Sequence, residues 1–162
     1  MMLKKWHALN SIPAFTFLYS SSAVNVLEKG CILRLARTFL ESDVVDYSKL
    51  TLDTNPLHFD PKCAKDAGFT DRLVPGMLVA SVFPRVIASY FPGAVYVSQN
   101  LHFKIPVYIK EEINAEIQAI VIREMKNKYI AKFTTKCFKG GDNLVIDGEA
   151  TAILPSLTME PV

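Results

Sequence analysis

The 162-residue sequence has no uninterrupted apolar run of about 18 residues, which excludes a membrane-spanning helix. Its cysteines are few and scattered: Cys31, Cys63 and Cys137 form no CxxC pair and no Cys/His cluster, so neither a zinc framework nor a disulfide framework is available. They read as packed thiols in a reducing compartment. Charge of one sign is also lacking, with 18 basic against 16 acidic residues. Even that excess is local. Residues 1–27 hold Lys4 and Lys5 and no acid, and from Glu28 onward 16 basic residues face 16 acidic ones. A neutral body has no cationic field with which to hold nucleic acid. Gly140-Gly141 lacks the Lys-Ser/Thr that would make a phosphate loop, and Ser81 has no G-x-S-x-G context. Only three histidines exist: His7, His58 and His102.

What is present is apolar. Half the residues are hydrophobic, ten of them phenylalanine, and the mean hydropathy is +0.21, which excludes a disordered polar chain. The length fits one domain. Residues 1–27 are acid-free and serine-rich, resembling an organellar transit peptide. They contain no arginine, however, and Pro13 interrupts any presequence helix. The expectation is a mitochondrial targeting segment over 1–27 and a single domain over 28–162, with the matrix as location and a cytoplasmic or peroxisomal place as the alternative. The ending Glu160-Pro161-Val162 carries no peroxisomal signal.

Residues 31–38 read as a first strand. Ser42 then stands as N-cap before a short helix carrying Val44, Val45 and Leu50. Asn55 before Pro56 breaks that helix; Asp60-Pro61 restarts one, as N-cap and first helical residue, running to Gly68. From Pro75 to Phe91 only Arg85 is charged, which predicts a helix buried on nearly every side. Pro84 should kink it or divide it in two. Residues 95–104, 112–123, 128–139 and 143–154 then alternate like strands. In the second of these Ile113, Ala115, Ile117, Ala119 and Val121 share one face. Helices followed by strands imply an α+β domain, with an antiparallel sheet wrapped around one long central helix.

Chemistry concentrates around His58, where Asp53, Asn55 and Asp60 crowd a proline turn. A carboxylate and an imidazole five residues apart across such a turn can converge and shuttle protons. Asx residues beside proline are equally turn formers. Asp53, His58 and Asp60 are too few for a metal site, and no metal or cofactor is expected.

The stretch from Tyr47 to Pro61, with Asp53, Asn55, Pro56, His58 and Asp60, resembles the hydratase-2 motif of the MaoC-like, hotdog-fold (R)-specific enoyl-thioester hydratases and dehydratases. Val74-Pro75-Gly76-Met77-Leu78-Val79-Ala80-Ser81 resembles that family's entry into its central helix, and Ser98 to Tyr108 its next signature. The resemblance spans 30–155. It implies a hotdog fold and a reversible syn elimination of water between a (3R)-3-hydroxyacyl and a trans-2-enoyl thioester. Asp53 and His58 would then be the acid–base pair, either of them exchanging the C2 proton. The Gly76 N–H would hold the enolate oxygen. Asn55 would orient the loop, and Ser81 and Met77 would lie near the acyl group, with Leu78 and Phe83 as further candidates or simple core. The sequence departs from many relatives at Pro75, where they carry His, and at Leu52, where they often carry Gly.

Between Asp71 and Glu111 no acid interrupts the cations Arg72, Arg85, Lys104 and Lys110, which suit the phosphates of coenzyme A or an acidic acyl carrier protein. The favoured function is (3R)-3-hydroxyacyl-carrier dehydration in mitochondrial type II fatty acid synthesis, with (R)-specific hydration of enoyl-CoA as the alternative. From other classes stand a hotdog thioesterase and a non-catalytic acyl-thioester-binding subunit. The resemblance further implies a homodimer.

Overall fold

The computed structural model describes residues 25–160. Strand β1 (Ile32–Thr38) leads into helix α1 (Glu41–Thr51), a 3-10 turn (Pro56–His58) and helix α2 (Pro61–Asp66). Helices α3 (Gly76–Ala80) and α4 (Val82–Tyr90) follow, then strands β2 (Val95–Phe103), β3 (Glu112–Met125), β4 (Lys128–Lys139) and β5 (Asn143–Leu154). The strands form one antiparallel sheet in the order β1-β3-β4-β5-β2. Tight turns make the two long hairpins: Lys126 (φ 55°) joins β3 to β4, and Gly140 and Gly141, both at positive φ, join β4 to β5.

The core lies between this sheet and α4. Phe83, Val86 and Ile87 from α4 are buried with Ile113, Ala115, Ile117 and Ala119 from β3 and Phe133 from β4. Alanines recur on that sheet face (Ala115, Ala119, Ala131, Ala152), and small side chains let a helix axis approach the strands closely. The long central helix of the hotdog is present, divided into two helices at Ser81, one of the two outcomes expected of Pro84. Pro84 has no N–H to offer the carbonyl of Ala80, so the ladder is interrupted one turn before the proline. It is also one-sided: Arg85, Ala88 and Ser89 on α4 are exposed, because a five-stranded sheet covers one flank only. Val121, too, departs from expectation and leaves the core face, since a register shift between Ala119 and Val121 turns it outward.

At the start of α1 the N-cap is Leu40, not Ser42. The Asp43 carboxylate accepts the Leu40 N–H at 2.7 Å, reaching back from the third helical position and starting the helix earlier. Asp60 does cap α2, its Oδ1 accepting the Lys62 N–H at 2.8 Å.

The expected leader falls mostly on residues 1–24, outside the described residues. Its last three are not outside the fold. Leu27 is buried in the core, its N–H donates to the Leu157 carbonyl at 2.8 Å, and the Met159 N–H donates to the carbonyl of Asn25 at 2.9 Å. Residues 25–27 therefore belong to the folded body. Among the described residues no helix is long and apolar enough to cross a membrane.

Candidate active site

The site is assembled by a short run of turns after α1. Leu52 adopts the left-handed conformation (φ 60°), its N–H closing on the Ser48 carbonyl at 2.7 Å, and reverses the chain. Asp53 Oδ1 then accepts the Asn55 N–H at 3.0 Å, and Asn55 Oδ1 accepts the Leu57 N–H at 3.1 Å. These two Asx bonds fold the segment into the 3-10 turn that ends at His58. The His58 N–H donates to the Asn55 carbonyl at 3.0 Å.

That geometry divides the Asp53 carboxylate. Oδ1 is occupied by the loop, while Oδ2 faces His58 Nε2 at 3.8 Å. The gap is too long for a direct hydrogen bond and fits one bridging oxygen. The far side of the imidazole is fixed as well: Nδ1 lies 2.9 Å from the Leu73 carbonyl oxygen. A carbonyl only accepts, so Nδ1 carries a proton, and in the neutral form of the ring the lone pair lies on Nε2. Leu73 is itself held, its N–H donating to the Leu57 carbonyl at 3.0 Å, while the next N–H, of Val74, donates to the Val107 carbonyl at 2.8 Å. The His58 side chain is 11% exposed and that of Asp53 41%, placing the ring inside and the carboxylate at the rim.

Beside the ring opens a cavity of about 280 Å³, lined by His58, Leu73, Gly76, Val79, Phe103, Val107 and Ile146, with Lys104 as its one permanently charged side chain. Gly76 is the first residue of α3, and Pro75 before it supplies no side-chain cap to the first turn. A larger cavity of about 350 Å³ lies on the other side, lined by Arg37, Asp43, Tyr47, Leu78, Ser81 and Arg85 among others. It contains neither member of the Asp53–His58 pair, whereas the smaller one contains His58.

Of the expected residues, His58 faces Asp53 across 3.8 Å and shares the smaller cavity with Gly76, while Asp53 is not among the residues lining that cavity. Asn55 shapes the loop. Met77 is exposed and does not line the His58 cavity. Ser81 Oγ donates to the Leu78 carbonyl at 2.6 Å and lines the second cavity with Leu78. Phe83 is fully buried core. The four cations do not share one rim. Arg72 is held by Glu41 at 2.6 and 3.4 Å, and its guanidinium keeps the Glu41 carboxyl below the ordinary range. Arg85 lines the larger cavity and Lys104 the smaller; Lys110 is exposed on the Glu41 side. Two participants were not foreseen. The Leu73 carbonyl is main chain and leaves no residue-type signal. Phe103 was visible within the third motif, but nothing in its alternation separated a cavity wall from a strand residue.

An antiparallel five-stranded sheet packed against the α3–α4 segment, with an Asp–His pair in the loop after α1, is a hotdog fold. Residues 22–137 match the family described as MaoC like domain. The chain is 68% identical to the mitochondrial 3-hydroxyacyl-[acyl-carrier-protein] dehydratase FERN of Solanum lycopersicum, over 90% of this chain and 88% of that one. It is 58% identical to the mitochondrial 3-hydroxyacyl-[acyl-carrier-protein] dehydratase of Arabidopsis thaliana, over 86% and 85%. Among solved structures, the (R)-hydratase from A. caviae involved in PHA biosynthesis superposes with a TM-score of 0.74 at 38% identity, covering 80% of this chain and 98% of that one. The chain belongs to the MaoC-like dehydratase family.

Proposed function

We propose that this protein is a (3R)-3-hydroxyacyl-[acyl-carrier-protein] dehydratase of mitochondrial type II fatty acid synthesis, a hydro-lyase that converts the 3-hydroxyacyl thioester to the trans-2-enoyl thioester and water. The observation that carries the reading is the 3.8 Å gap between His58 Nε2 and Asp53 Oδ2, with His58 lining an apolar cavity. It occurs in a chain 68% identical to a relative of that name.

The geometry supports one path. The substrate 3-hydroxyl occupies the gap, donating to Asp53 Oδ2. The thioester carbonyl turns toward the Gly76 N–H, which stabilises the developing enolate oxygen; a preorganised donor of this kind is worth roughly 3–4 kcal/mol. His58 Nε2 removes a C2 proton and becomes imidazolium. The C3–O bond breaks, the departing oxygen takes that proton, and water leaves with His58 restored. No other proton donor is needed, and proton and oxygen depart from the same face.

Carrier and assembly follow from the same reading. An acidic carrier protein approaches Lys104, the charged side chain of the His58 cavity; Arg85 lines the other cavity, and Arg72, neutralised by Glu41, contributes to structure. The protein acts as a homodimer. Strand β2 ends the sheet with its outer edge unpaired among the described strands and carries exposed Val95 and Val97, the kind of edge that otherwise aggregates. Residues before Asn25, acid-free with Lys4 and Lys5, direct it to the mitochondrial matrix.

The test offers the protein matched (3R)-3-hydroxyacyl thioesters on acyl carrier protein and on coenzyme A. The expected result is enoyl thioester without free thiol and a higher kcat/KM on the carrier protein, declining with added salt as screening shortens the attraction. Free thiol would indicate a thioesterase. Preference for coenzyme A would favour the (R)-specific enoyl-CoA hydratase activity named for the relative from Aeromonas caviae, 39% identical over 80% of this chain.

A further inference from the structure

We propose that Phe103 is a specificity-determining residue of this site: its ring is the wall against which the acyl chain lies, and it sets the chain length that the cavity accepts. The proposal rests on the dehydratase reading above.

The first observation concerns Gly76. Its backbone is helical, with no positive φ, so conformation does not require glycine there. Space does. A Cβ built on Gly76 would stand 2.9 Å from Phe103 Cε1, 3.1 Å from Cδ1 and 3.3 Å from Cζ. The ring therefore rests directly on the backbone whose N–H is to receive the thioester oxygen. An acyl group bound through that N–H must leave past the edge of this ring.

The second observation is where the ring is anchored. Phe103 is the last residue of β2 and pairs with Ile146 of β5, which lines the same cavity. Immediately beyond, the Lys104 N–H donates to the Val145 carbonyl at 2.8 Å. The main chain is thus fixed by the sheet while the ring reaches across to α3, spanning the cavity between its two supports. Leu73, Val79 and Val107 complete an apolar lining that offers an alkyl chain no polar partner. A cavity of about 280 Å³ corresponds to the space of roughly nine liquid waters at ~30 Å³ each, and the Phe103 ring is one of its walls.

The third observation is that the fold does not need the ring. Phe103 is 52% exposed, unlike Phe83, Phe91 and Phe133, which are fully buried. Shortening it opens the cavity without emptying the core.

The experiment measures kcat/KM of the full chain for (3R)-3-hydroxyacyl thioesters of four to sixteen carbons on a single carrier, comparing the native protein with Phe103→Ala and Phe103→Leu. Phe103→Ala is expected to raise the ratio of long-chain to short-chain efficiency at least about tenfold, the scale on which pockets discriminate methylenes. Phe103→Leu is expected to fall between. Melting curves and solution mass confirm that both variants keep fold and assembly. A parallel calorimetric titration with saturated acyl thioesters of the same lengths reads the wall without turnover. Identical chain-length profiles in all three proteins, in turnover and in binding, overturn the role of Phe103. Chain-length shifts in binding with no dehydration by the native protein overturn the dehydratase reading and leave the wall standing.

Discussion

Leu52 carries a cost that its side chain does not recover by packing. It sits at φ 60°, where a Cβ is disfavoured by roughly 1–2 kcal/mol, and its side chain is 81% exposed. Leu52→Gly removes that strain but enlarges the freedom of the unfolded chain by about 0.5–1 kcal/mol. The net expectation is a stabilisation of up to about 1 kcal/mol in urea unfolding, together with a lower kcat as the Asp53 carboxylate loses its fixed approach. Destabilisation would show that Leu52 has a packing role. Much of this loop was legible: Asn-Pro and Asp-Pro marked its turns, and the Asp53–His58 spacing marked the pair. The sequence could not show which imidazole nitrogen is free, because the Leu73 carbonyl that decides it lies fifteen residues away and is not a side chain.

Helix α2 holds the loop from behind, packing against the 3-10 turn that ends at His58. Its cap separates structure from chemistry. Asp60 Oδ1 is committed to the Lys62 N–H, so Asp60→Ala should lower stability by about 1 kcal/mol and leave kcat near native well below the melting temperature. A large loss of kcat with unchanged stability would place Asp60 in the reaction instead. The strands were read correctly because two-residue alternation survives in a half-buried sheet. What failed at this scale failed for physical reasons. Ser42 has cap chemistry, but Asp43 reaches back to Leu40 and takes the start of α1. The apolar run 75–91 has the composition of an enclosed helix, yet composition does not reveal that one flank faces away from the sheet. Val121 continues an alternation that a bulge has already shifted.

Over the whole molecule, the net charge of +2 says little, and the folded body is held by apolar burial between sheet and helix. Two weak acids, Cys137 fully buried and Tyr96 partly so, make its stability sensitive to alkali. Burial pushes the Cys137 thiol from 9 up to about 12 and the Tyr96 hydroxyl from 10 up to about 12. Below the lower values both states keep their protons. Between the lower and raised values the unfolded chain releases protons that the folded chain retains, so stability falls as pH rises from about 9 to 12. Urea midpoints across that interval should decline, and Cys137→Ala should flatten the first part of the decline; an unchanged slope would contradict the assignment. The central claim concerns the pair in the loop. It is tested most directly by turnover of (3R)-3-hydroxyacyl carrier protein with Asp53→Asn and His58→Ala, each checked for native melting. The account predicts that each loses at least about a hundredfold in kcat, the scale of a positioned acid–base group. Near-native turnover in either folded variant would contradict it.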